Sequence, residues 1–364
     1  MDKNVMHIAF CTDDTYMMPV GVAIVSICEN NKAEDILFHL VITSNETIEK
    51  TKEKIAPLTN IIDRYQKEYR IYRLEEKDLA SFECPGGDYI STTAFARIFL
   101  PQLLPDSIKK VLYLDGDIAV DGNLRELWET ELKEDCPMGA IIDSCGTSVA
   151  YRASVQIPLS IPYVNSGILL MNLDCWRKEH LIDQMVQCAS EHSFSFLDQD
   201  VLNYVLRDRI KILPVKYNVQ LLFLLEQENR WMVEYQYLEE IRDAIEHPVI
   251  VHYLSANKPW KEENCPKREI WHRYQQLSPW NAIPLEPLNC RFERSSIYAG
   301  FIDAYWSDAS LMKESLPSFL ALFNAAVKLK NKKLFMQVAS QMMRGMTRIL
   351  EFVYRRKVKG ILPK

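Results

Sequence analysis

Two aspartates at the end of an apolar run are the strongest candidates for chemistry in this chain. The run VLYLDGDIAV (residues 111–120) is strand-like up to Leu114, and Asp115 and Asp117 follow, separated by Gly116. If the run is a buried strand, its carboxyl end lies where open α/β sheets bind ligands. Side chains two positions apart in an extended chain point to the same side. Such a pair could hold a hard divalent cation, and hard cations bridge carboxylates to phosphates. The pair therefore predicts a metal-diphosphate site.

The Asp-Gly-Asp tripeptide is also a good turn, so taken alone it fits a turn as well as a metal site. Other polar residues at strand ends favour the metal site. Asp13, Asp143 and His252 each follow a strand-like run, which a single cleft at the carboxyl edge of one sheet would explain. Manganese accepts imidazole beside carboxylates, so His252 suits Mn²⁺, and Lys258 could neutralise a departing diphosphate. Taken alone, His252 is better explained as a structural histidine and Lys258 as a solvated surface lysine.

Length and composition indicate a globular protein. The chain has 364 residues, 48% hydrophobic and 25% charged, which is enough to bury a sizeable core. The first apolar segment, residues 5–11, is short, and no stretch reaches the roughly 18 to 20 apolar residues that span a bilayer. We therefore expect a cytoplasmic protein. The nine cysteines include no CxxC pair, which favours buried thiols over disulfides or a zinc site.

The C-terminal segment carries the positive charge of the chain. Residues 315–364 hold eleven Lys and Arg against one acid, whereas the chain as a whole has a net charge of -6. Apolar residues recur there at three- and four-residue steps, which is typical of an amphipathic helix. Such a helix could pack on the body or lie peripherally on the anionic inner face of the cell membrane, and both alternatives stay open. The acidic body and the lack of a reader motif disfavour nucleic acid as a partner.

Strand-like and helical runs alternate along the first 280 residues, which predicts an α/β fold with a Rossmann-like, mostly parallel mixed sheet flanked by helices. Prolines at 279, 284 and 287 suggest that a catalytic domain (residues 1–280) passes into a largely helical extension (residues 281–364). Strands are predicted over residues 5–11, 37–43, 69–74, 110–114, 139–142, 167–172, 210–214 and 249–253. Helices are predicted over residues 19–29, 47–56, 91–100, 124–128, 175–188 and 196–206.

Six segments together resemble glycosyltransferase family 8, which includes bacterial lipopolysaccharide galactosyl- and glucosyltransferases and, more distantly, glycogenin and the galacturonosyltransferases. They occur in the family's order over about the first 275 residues, which is more specific than any one motif. The segments are IAFCTDDTY (8–16), STTAFARIFLPQLLP (91–105), KVLYLDGDIAVDGNLRELW (110–128), YVNSGILLMNLDCWR (163–177), LDQDVLN (197–203) and HYLSANKPW (252–260).

The resemblance implies a GT-A fold and transfer of a hexose from UDP-galactose or UDP-glucose to a hydroxyl of a glycan or glycolipid acceptor, with the anomeric configuration retained. Synthesis of lipopolysaccharide or another surface polysaccharide is the implied setting. By position, Asp115, Asp117 and His252 match the family's metal ligands, with Mn²⁺ expected and Mg²⁺ possible. Lys258 matches the lysine that binds the diphosphate.

The resemblance also implies a set of donor-binding and catalytic residues. Asp13 matches the residue that bonds the uracil, and Gln199 matches a residue close to the reacting carbon. The sequence departs from the bacterial pattern at Ser255, where relatives usually have glycine. The positions matching the uridine segment are Cys11, Thr12, Asp13 and Tyr16, and those matching the donor-sugar pocket are Arg97, Asp143, Asn165, Ser166, Gly167 and Asp198.

Two questions stay open at this point. Because an amide is a poor nucleophile, Gln199 favours same-face attack over a covalent intermediate, for which Asp198 would be the competing nucleophile. The chain could also be a non-catalytic nucleotide-sugar or glycan-binding protein of the same fold. A magnesium-dependent phosphatase is disfavoured, because Ala119 stands where the opening motif of the haloacid dehalogenase group has Thr or Val.

Overall fold

The computed structural model describes residues 5–44, 46–75, 92–144, 152, 155–158, 160–192, 194, 196–224, 237–254, 258–261 and 265–282. Within them the strands are β1 (Met6–Thr12), β2 (Ile36–Thr43), β3 (Glu68–Leu74), β4 (Lys110–Leu114), β5 (Ile118–Val120), β6 (Met138–Ile142), β7 (Val164–Asn172), β8 (Ile210–Ile212), β9 (Val219–Gln220) and β10 (Ile250–His252).

The described helices are α1 (Met17–Asn30), α2 (Ile48–Arg64), α3 (Leu100–Leu103), α4 (Arg125–Glu129), α5 (Leu173–Lys178), α6 (Leu181–Glu191), α7 (Leu197–Leu206), α8 (Leu221–Leu224), α9 (Leu238–Glu246) and α10 (Arg268–Gln275). Single turns or short stretches of 3-10 helix cover Thr92–Phe99, Arg207–Arg209 and Val215–Tyr217. None of the helices in these described ranges is long and apolar enough to cross a bilayer.

The central sheet has seven strands in the order β3-β2-β1-β4-β7-β6-β8. Strands β3, β2, β1 and β4 are parallel to one another, and β6 is parallel to β8, whereas β7 between them runs antiparallel to both β4 and β6. Strand β2 is buried along its whole length, as expected for a parallel strand covered on both faces. Apolar clusters lie on the two faces, one built with α1 and α2 and the other with α5 to α7. The predicted α/β class and the mostly parallel sheet are confirmed.

A second, three-stranded sheet in the order β5-β10-β9 joins segments that are far apart in sequence. Strand β5 begins directly after the Asp115 and Asp117 pair, and β10 ends at His252. Helix α1 holds β5 of this small sheet through two side chains. The Ser26 hydroxyl accepts from the Val120 N–H at 2.9 Å, and the Asn30 amide donates to the Val120 carbonyl at 2.9 Å. The small sheet therefore brings the two ends of the metal motif together.

Two predicted helices are wrong in form. The stretch predicted as a helix over 91–100 is 3-10 helix from Thr92 to Phe99, and Pro101 does not end it but lies in the first turn of α3, where proline is tolerated. The single helix predicted over 175–188 is two helices, α5 and α6. His180 between them has φ 52°, a left-handed conformation that a continuous α-helix does not contain. Hydrophobic periodicity does not detect a break of one residue.

Candidate active site

Three side chains form a candidate metal centre at the carboxyl end of β4. His252 Nε2 lies 3.3 Å from Asp117 Oδ1 and 3.6 Å from Asp115 Oδ2. One ligand atom from each of the three residues lies within 4.8 Å of the others. Two carboxylates and one imidazole are a ligand set that suits Mn²⁺. The same set suits Mg²⁺ less well, because Mg²⁺ prefers oxygen ligands. The structure therefore brings together all three predicted ligands.

The protonation of His252 fits a metal ligand. Its side chain is 1% exposed, and Nδ1 lies 3.0 Å from Asn218 Oδ1, an acceptor. In the neutral ring the proton therefore lies on Nδ1, which leaves the lone pair on Nε2. This buried Nε2 has no hydrogen-bond partner among the described residues, which is costly for a polar atom unless a ligand occupies it. A divalent cation between Nε2 and the carboxylates would satisfy it.

The backbone around the two aspartates holds them in place. The Asp115 N–H donates to the Gly167 carbonyl at 2.8 Å, and the Asp117 carbonyl accepts from the Tyr253 N–H at 2.9 Å. Gly116 lies against α1, where an added Cβ would be 2.6 Å from the Val20 side chain. A side chain at position 116 would therefore push the two carboxylates away from their strand, which explains glycine between them.

Lys258 contacts the second aspartate of the pair, and Tyr16 lies beside it. Lys258 Nζ lies 2.5 Å from Asp117 Oδ2, and it also donates to the Tyr253 carbonyl at 2.7 Å. Burial and the charges of Asp117 and Asp115 raise the pKa of the Tyr16 hydroxyl, and the Tyr16 ring lies edge-on to Trp260 at 5.9 Å. Burial by itself raises the pKa of Asp117, but the positive charge of the neighbouring Lys258 lowers it, and the pKa lies below its ordinary value. Asp117 is therefore an anion at neutral pH, as a metal ligand must be.

A buried arginine joins the first aspartate to a second carboxylate. Arg97, from the 3-10 helix, lies 3.1 Å from Asp115 Oδ1 and 3.2 Å from Asp198 Oδ2. It also donates to the Ser166 carbonyl at 2.6 Å. Burial, with a contribution from Asp115, raises the pKa of Asp198 to about 6, although Arg97 opposes the shift. The Tyr113 hydroxyl donates to Asp115 at 2.5 Å and completes the support of that carboxylate.

A cluster of buried amides lies beside this arginine. Asn165 Nδ2 donates to Asp143 Oδ2 at 3.0 Å and to Gln199 Oε1 at 2.9 Å. The Gln199 oxygen also accepts from the Ser166 N–H at 3.1 Å. The predicted donor-sugar residues therefore lie in one connected cluster, although they come from the 3-10 helix, the end of β6, β7 and α7.

The N-terminal segment lies at the same edge of the sheet. Thr12 is buried, and the Asp13 carboxylate accepts from the Thr15 N–H at 2.8 Å and from the Thr15 hydroxyl at 2.6 Å. Burial raises the pKa of the Cys11 thiol to about 12. Because only the thiolate is a good nucleophile, this agrees with the interpretation of Cys11 as a packing residue.

Gly167, which was predicted to line the donor-sugar pocket, lies beside His252 and Asp115. An added Cβ would lie 2.2 Å from His252 Cε1 and 2.8 Å from Asp115 Oδ2. Gly167 thus lies directly against the metal ligands, and its lack of a side chain leaves room for the imidazole. Ser255 and the predicted helical extension fall outside the described residues, apart from residues 281 and 282 at its start.

Several residues that complete this site were not predicted. Tyr113 and Asp200 lie within the quoted motifs, so the motifs could have pointed to them. Asn218 lies in none of the motifs, and its residue type gives no signal in the sequence. Its contact with His252 becomes visible only when β9 and β10 pair.

Comparison with known proteins agrees with this geometry. The family model for glycosyl transferase family 8 matches residues 7–264, which is more than half of the chain. A lipopolysaccharide 1,2-glucosyltransferase of Escherichia coli is 26% identical over 82% of this chain and 86% of that protein. General stress protein A of Bacillus subtilis is 27% identical over 79% of this chain and 98% of that protein.

A solved structure of the galactosyltransferase LgtC, in complex with donor and acceptor sugar analogues, is similar to this fold. The TM-score is 0.62 at 26% identity, and the match covers 81% of this chain and all of that chain. The metal ligands, the buried arginine and the amide cluster all lie within the matched residues 7–264.

Proposed function

The chain belongs to glycosyl transferase family 8, and we propose that this GT-A glycosyltransferase moves a galactose or glucose from a UDP-sugar to a hydroxyl of a glycan acceptor. The observation that carries the proposal is the metal triad, in which the buried Nε2 of His252 faces Asp115 and Asp117. The acceptor proposed is a glycan or glycolipid of lipopolysaccharide or another surface polysaccharide. The similarity to a lipopolysaccharide glucosyltransferase supports that choice.

The proposed cofactor is Mn²⁺, with Mg²⁺ as the alternative, held by Asp115, Asp117 and His252. When bound, the cation supplies positive charge to the diphosphate, whose negative charge grows as the bond to the sugar breaks. Lys258 is close enough to the triad to add a second positive charge there, since its Nζ contacts Asp117. These charges lower the barrier to departure of UDP.

We propose that the sugar end of the donor contacts Arg97, Asp143, Asn165, Ser166 and Asp198. Asp198 and Asp143 are carboxylates that could accept from sugar hydroxyls, and Arg97 holds Asp198 as an anion at 3.2 Å. The uridine would lie along Cys11, Thr12, Asp13 and Tyr16 at the neighbouring strand end.

Retention of configuration is proposed to arise by same-face attack. The acceptor oxygen forms a bond to the anomeric carbon while the bond to UDP breaks, and the acceptor proton passes to the departing phosphate. The Gln199 oxygen already accepts two hydrogen bonds, from Asn165 and from Ser166. An amide oxygen engaged in this way is a weak nucleophile, which supports direct attack by the acceptor.

Peripheral membrane association is a further part of the proposal. It is supported by the eleven basic residues against one acid in residues 315–364. Anionic headgroups attract such a segment by about 1 kcal/mol for each basic side chain near the surface. An acceptor in a glycolipid would then meet the enzyme at the membrane.

The proposal is tested by release of UDP from a panel of UDP-sugars with Mn²⁺, with and without glycan acceptors. Asp117→Asn keeps the shape of the side chain but removes the charge that holds the cation, so release should fall by at least about 100-fold. Asp121→Asn is the matched control, because Asp121 lies just after β5 and bonds Arg273 and Tyr274 rather than the triad. It should keep wild-type activity.

Full activity of Asp117→Asn would contradict the metal-dependent mechanism. Metal-dependent binding of UDP without turnover of any donor sugar would instead favour the non-catalytic binding protein. Turnover of one UDP-hexose above the others would identify the donor.

A further inference from the structure

An uninterrupted row of buried side chains leads from the metal histidine into the helical layer behind the site. We propose that this row, the amide relay (Asn218, Asn165, Gln199, Tyr163 and Asp200), sets the proton of His252 on Nδ1. Asn218 is the positioning residue, because it alone in the relay contacts the imidazole. This inference rests on the metal centre proposed above, but it concerns a residue outside the ligand set.

Backbone groups determine which way each amide in the relay points. The Ser166 N–H donates to Gln199 Oε1 at 3.1 Å, and the Gly167 N–H donates to Asn165 Oδ1 at 3.0 Å. A backbone N–H can only donate, so both of these amide atoms must be oxygens. The orientation of Asn165 and Gln199 therefore follows from the fold.

The far end of the relay is a carboxylate that only accepts. Asp200 is buried and accepts from the Tyr163 hydroxyl at 2.5 Å and from the Phe196 N–H at 2.7 Å. Because its proton goes to Asp200, the Tyr163 oxygen accepts from Gln199 Nε2 at 3.3 Å. This contact agrees with the orientation of Gln199 that the backbone requires.

The near end of the relay then determines which nitrogen of His252 donates to Asn218. Asn165 Oδ1 can only accept, so the Asn218 atom that lies 2.9 Å from it is the donor Nδ2. Asn218 Oδ1 therefore faces His252 Nδ1 at 3.0 Å, and the imidazole must donate from Nδ1. With the proton on Nδ1, the lone pair of Nε2 points at Asp115 and Asp117.

Without Asn218 the proton could move to the other nitrogen. An Nε2–H would donate to Asp117 at 3.3 Å and would occupy the lone-pair position that a cation needs. Partners behind a metal histidine act in this way, and their loss typically weakens metal affinity by about 10 to 100-fold. Here the partner is an amide rather than a carboxylate, and the relay holds that amide in its orientation.

Two substitutions separate the roles of Asn218. Asn218→Leu removes the acceptor for His252 and should weaken Mn²⁺ binding, measured by electron paramagnetic resonance or calorimetry, by about 10 to 100-fold. Asn218→Asp keeps an oxygen opposite Nδ1 but no longer donates to Asn165, so Mn²⁺ affinity should stay within about threefold of wild type. Sugar transfer by Asn218→Asp should nevertheless fall, because a carboxylate oxygen then faces Asn165 Oδ1 and the two acceptors repel each other.

Gln220→Leu is the matched control. Gln220 lies in β9 and, like Asn218, is buried. Its side chain accepts from the Ser144 N–H and donates to the Ile142 carbonyl, both at 2.8 Å, and neither partner belongs to the relay. It should lower the melting temperature about as much as Asn218→Leu does, while Mn²⁺ affinity stays near the wild-type value.

The proton position is measured separately, in the metal-free protein, by long-range proton–nitrogen correlation spectra of the His252 ring. Wild type and Asn218→Asp should show Nδ1–H, and Asn218→Leu should show Nε2–H in a substantial fraction. Wild-type Mn²⁺ affinity in Asn218→Leu, or an unchanged Nδ1–H ring, would overturn the inference. Failure of the wild-type protein to bind Mn²⁺ would instead refute the proposed metal centre.

Discussion

Substitution of Gly167 by alanine tests whether His252 must keep its position against β7 for the metal triad to bind a cation. Gly167 lies inside β7, where its N–H donates to Asn165 at 3.0 Å and its carbonyl accepts from the Asp115 N–H at 2.8 Å. The backbone is therefore held on both sides. A Cβ would lie 2.2 Å from His252 Cε1, so the imidazole, rather than the strand, has to move.

The size of that movement follows from the contact distance. Ordinary contacts of a Cβ begin at 3.4 Å, so the ring must retreat by about 1.2 Å, whereas metal–ligand distances tolerate only about 0.2 Å. His252 would then no longer reach a cation held by the two aspartates. Loss of one of three ligands should weaken Mn²⁺ affinity by at least about 100-fold, or about 2.8 kcal/mol. Overpacking should cost about 1 to 3 kcal/mol of folding stability.

The assay is calorimetric titration with Mn²⁺, together with the melting temperature and UDP release. Gly139→Ala is the matched control, since Gly139 lies in β6 of the same sheet and the atoms nearest to its Cβ would be those of the Leu213 side chain, at 3.1 Å. The control should keep wild-type Mn²⁺ affinity. If Gly167→Ala binds Mn²⁺ within about threefold of wild type, the placement of His252 against β7 is refuted.

Two further predictions concern other parts of the chain. Burial, and to a lesser extent the charges of His7 and Arg70, lowers the pKa of His39 from 6.5 to about 3. Below pH 6.5 the unfolded state therefore takes up a proton at His39 that the folded state does not. The free energy of unfolding falls as the pH falls. His39→Asn should remove about 2 kcal/mol of the stability difference between pH 7 and pH 5, seen as a smaller change in melting temperature, and an unchanged difference would contradict this. Deletion of the residues after Lys313 should weaken sedimentation with anionic vesicles more than it reduces hydrolysis of a soluble donor, and unchanged vesicle binding would favour a helix docked on the body.

Much of the fold could be predicted because short-range patterns carry it. Apolar runs correctly located β1, β2, β4, β6 and β7 to within a few residues, since a strand buried on both faces is apolar along its length. The short strands β5 and β9 and the helices α9 and α10 were not predicted. Two or three residues of strand leave no periodicity, and these strands exist because β10 pairs with both.

The candidate site likewise contains residues that the sequence predicts and residues that it does not. Its ligands were predicted because carboxylates, an imidazole and a lysine have types and motif spacing that can be recognised in a sequence. Asn218 and the left-handed residue His180 were not, because neither an amide nor a one-residue break has a local signature.

The sequence by itself thus determined the chemistry that the protein can perform, through the residue types at Asp115, Asp117, His252 and Lys258. Only the tertiary structure decided how that chemistry is arranged. The lone pair of His252 Nε2 faces the carboxylates because Asn165 orients Asn218, and the Asn218 oxygen then accepts the proton of Nδ1, although the three residues lie far apart in the chain. Hydrogen bonds between segments far apart in the chain depend on packing, and local sequence preferences do not encode them.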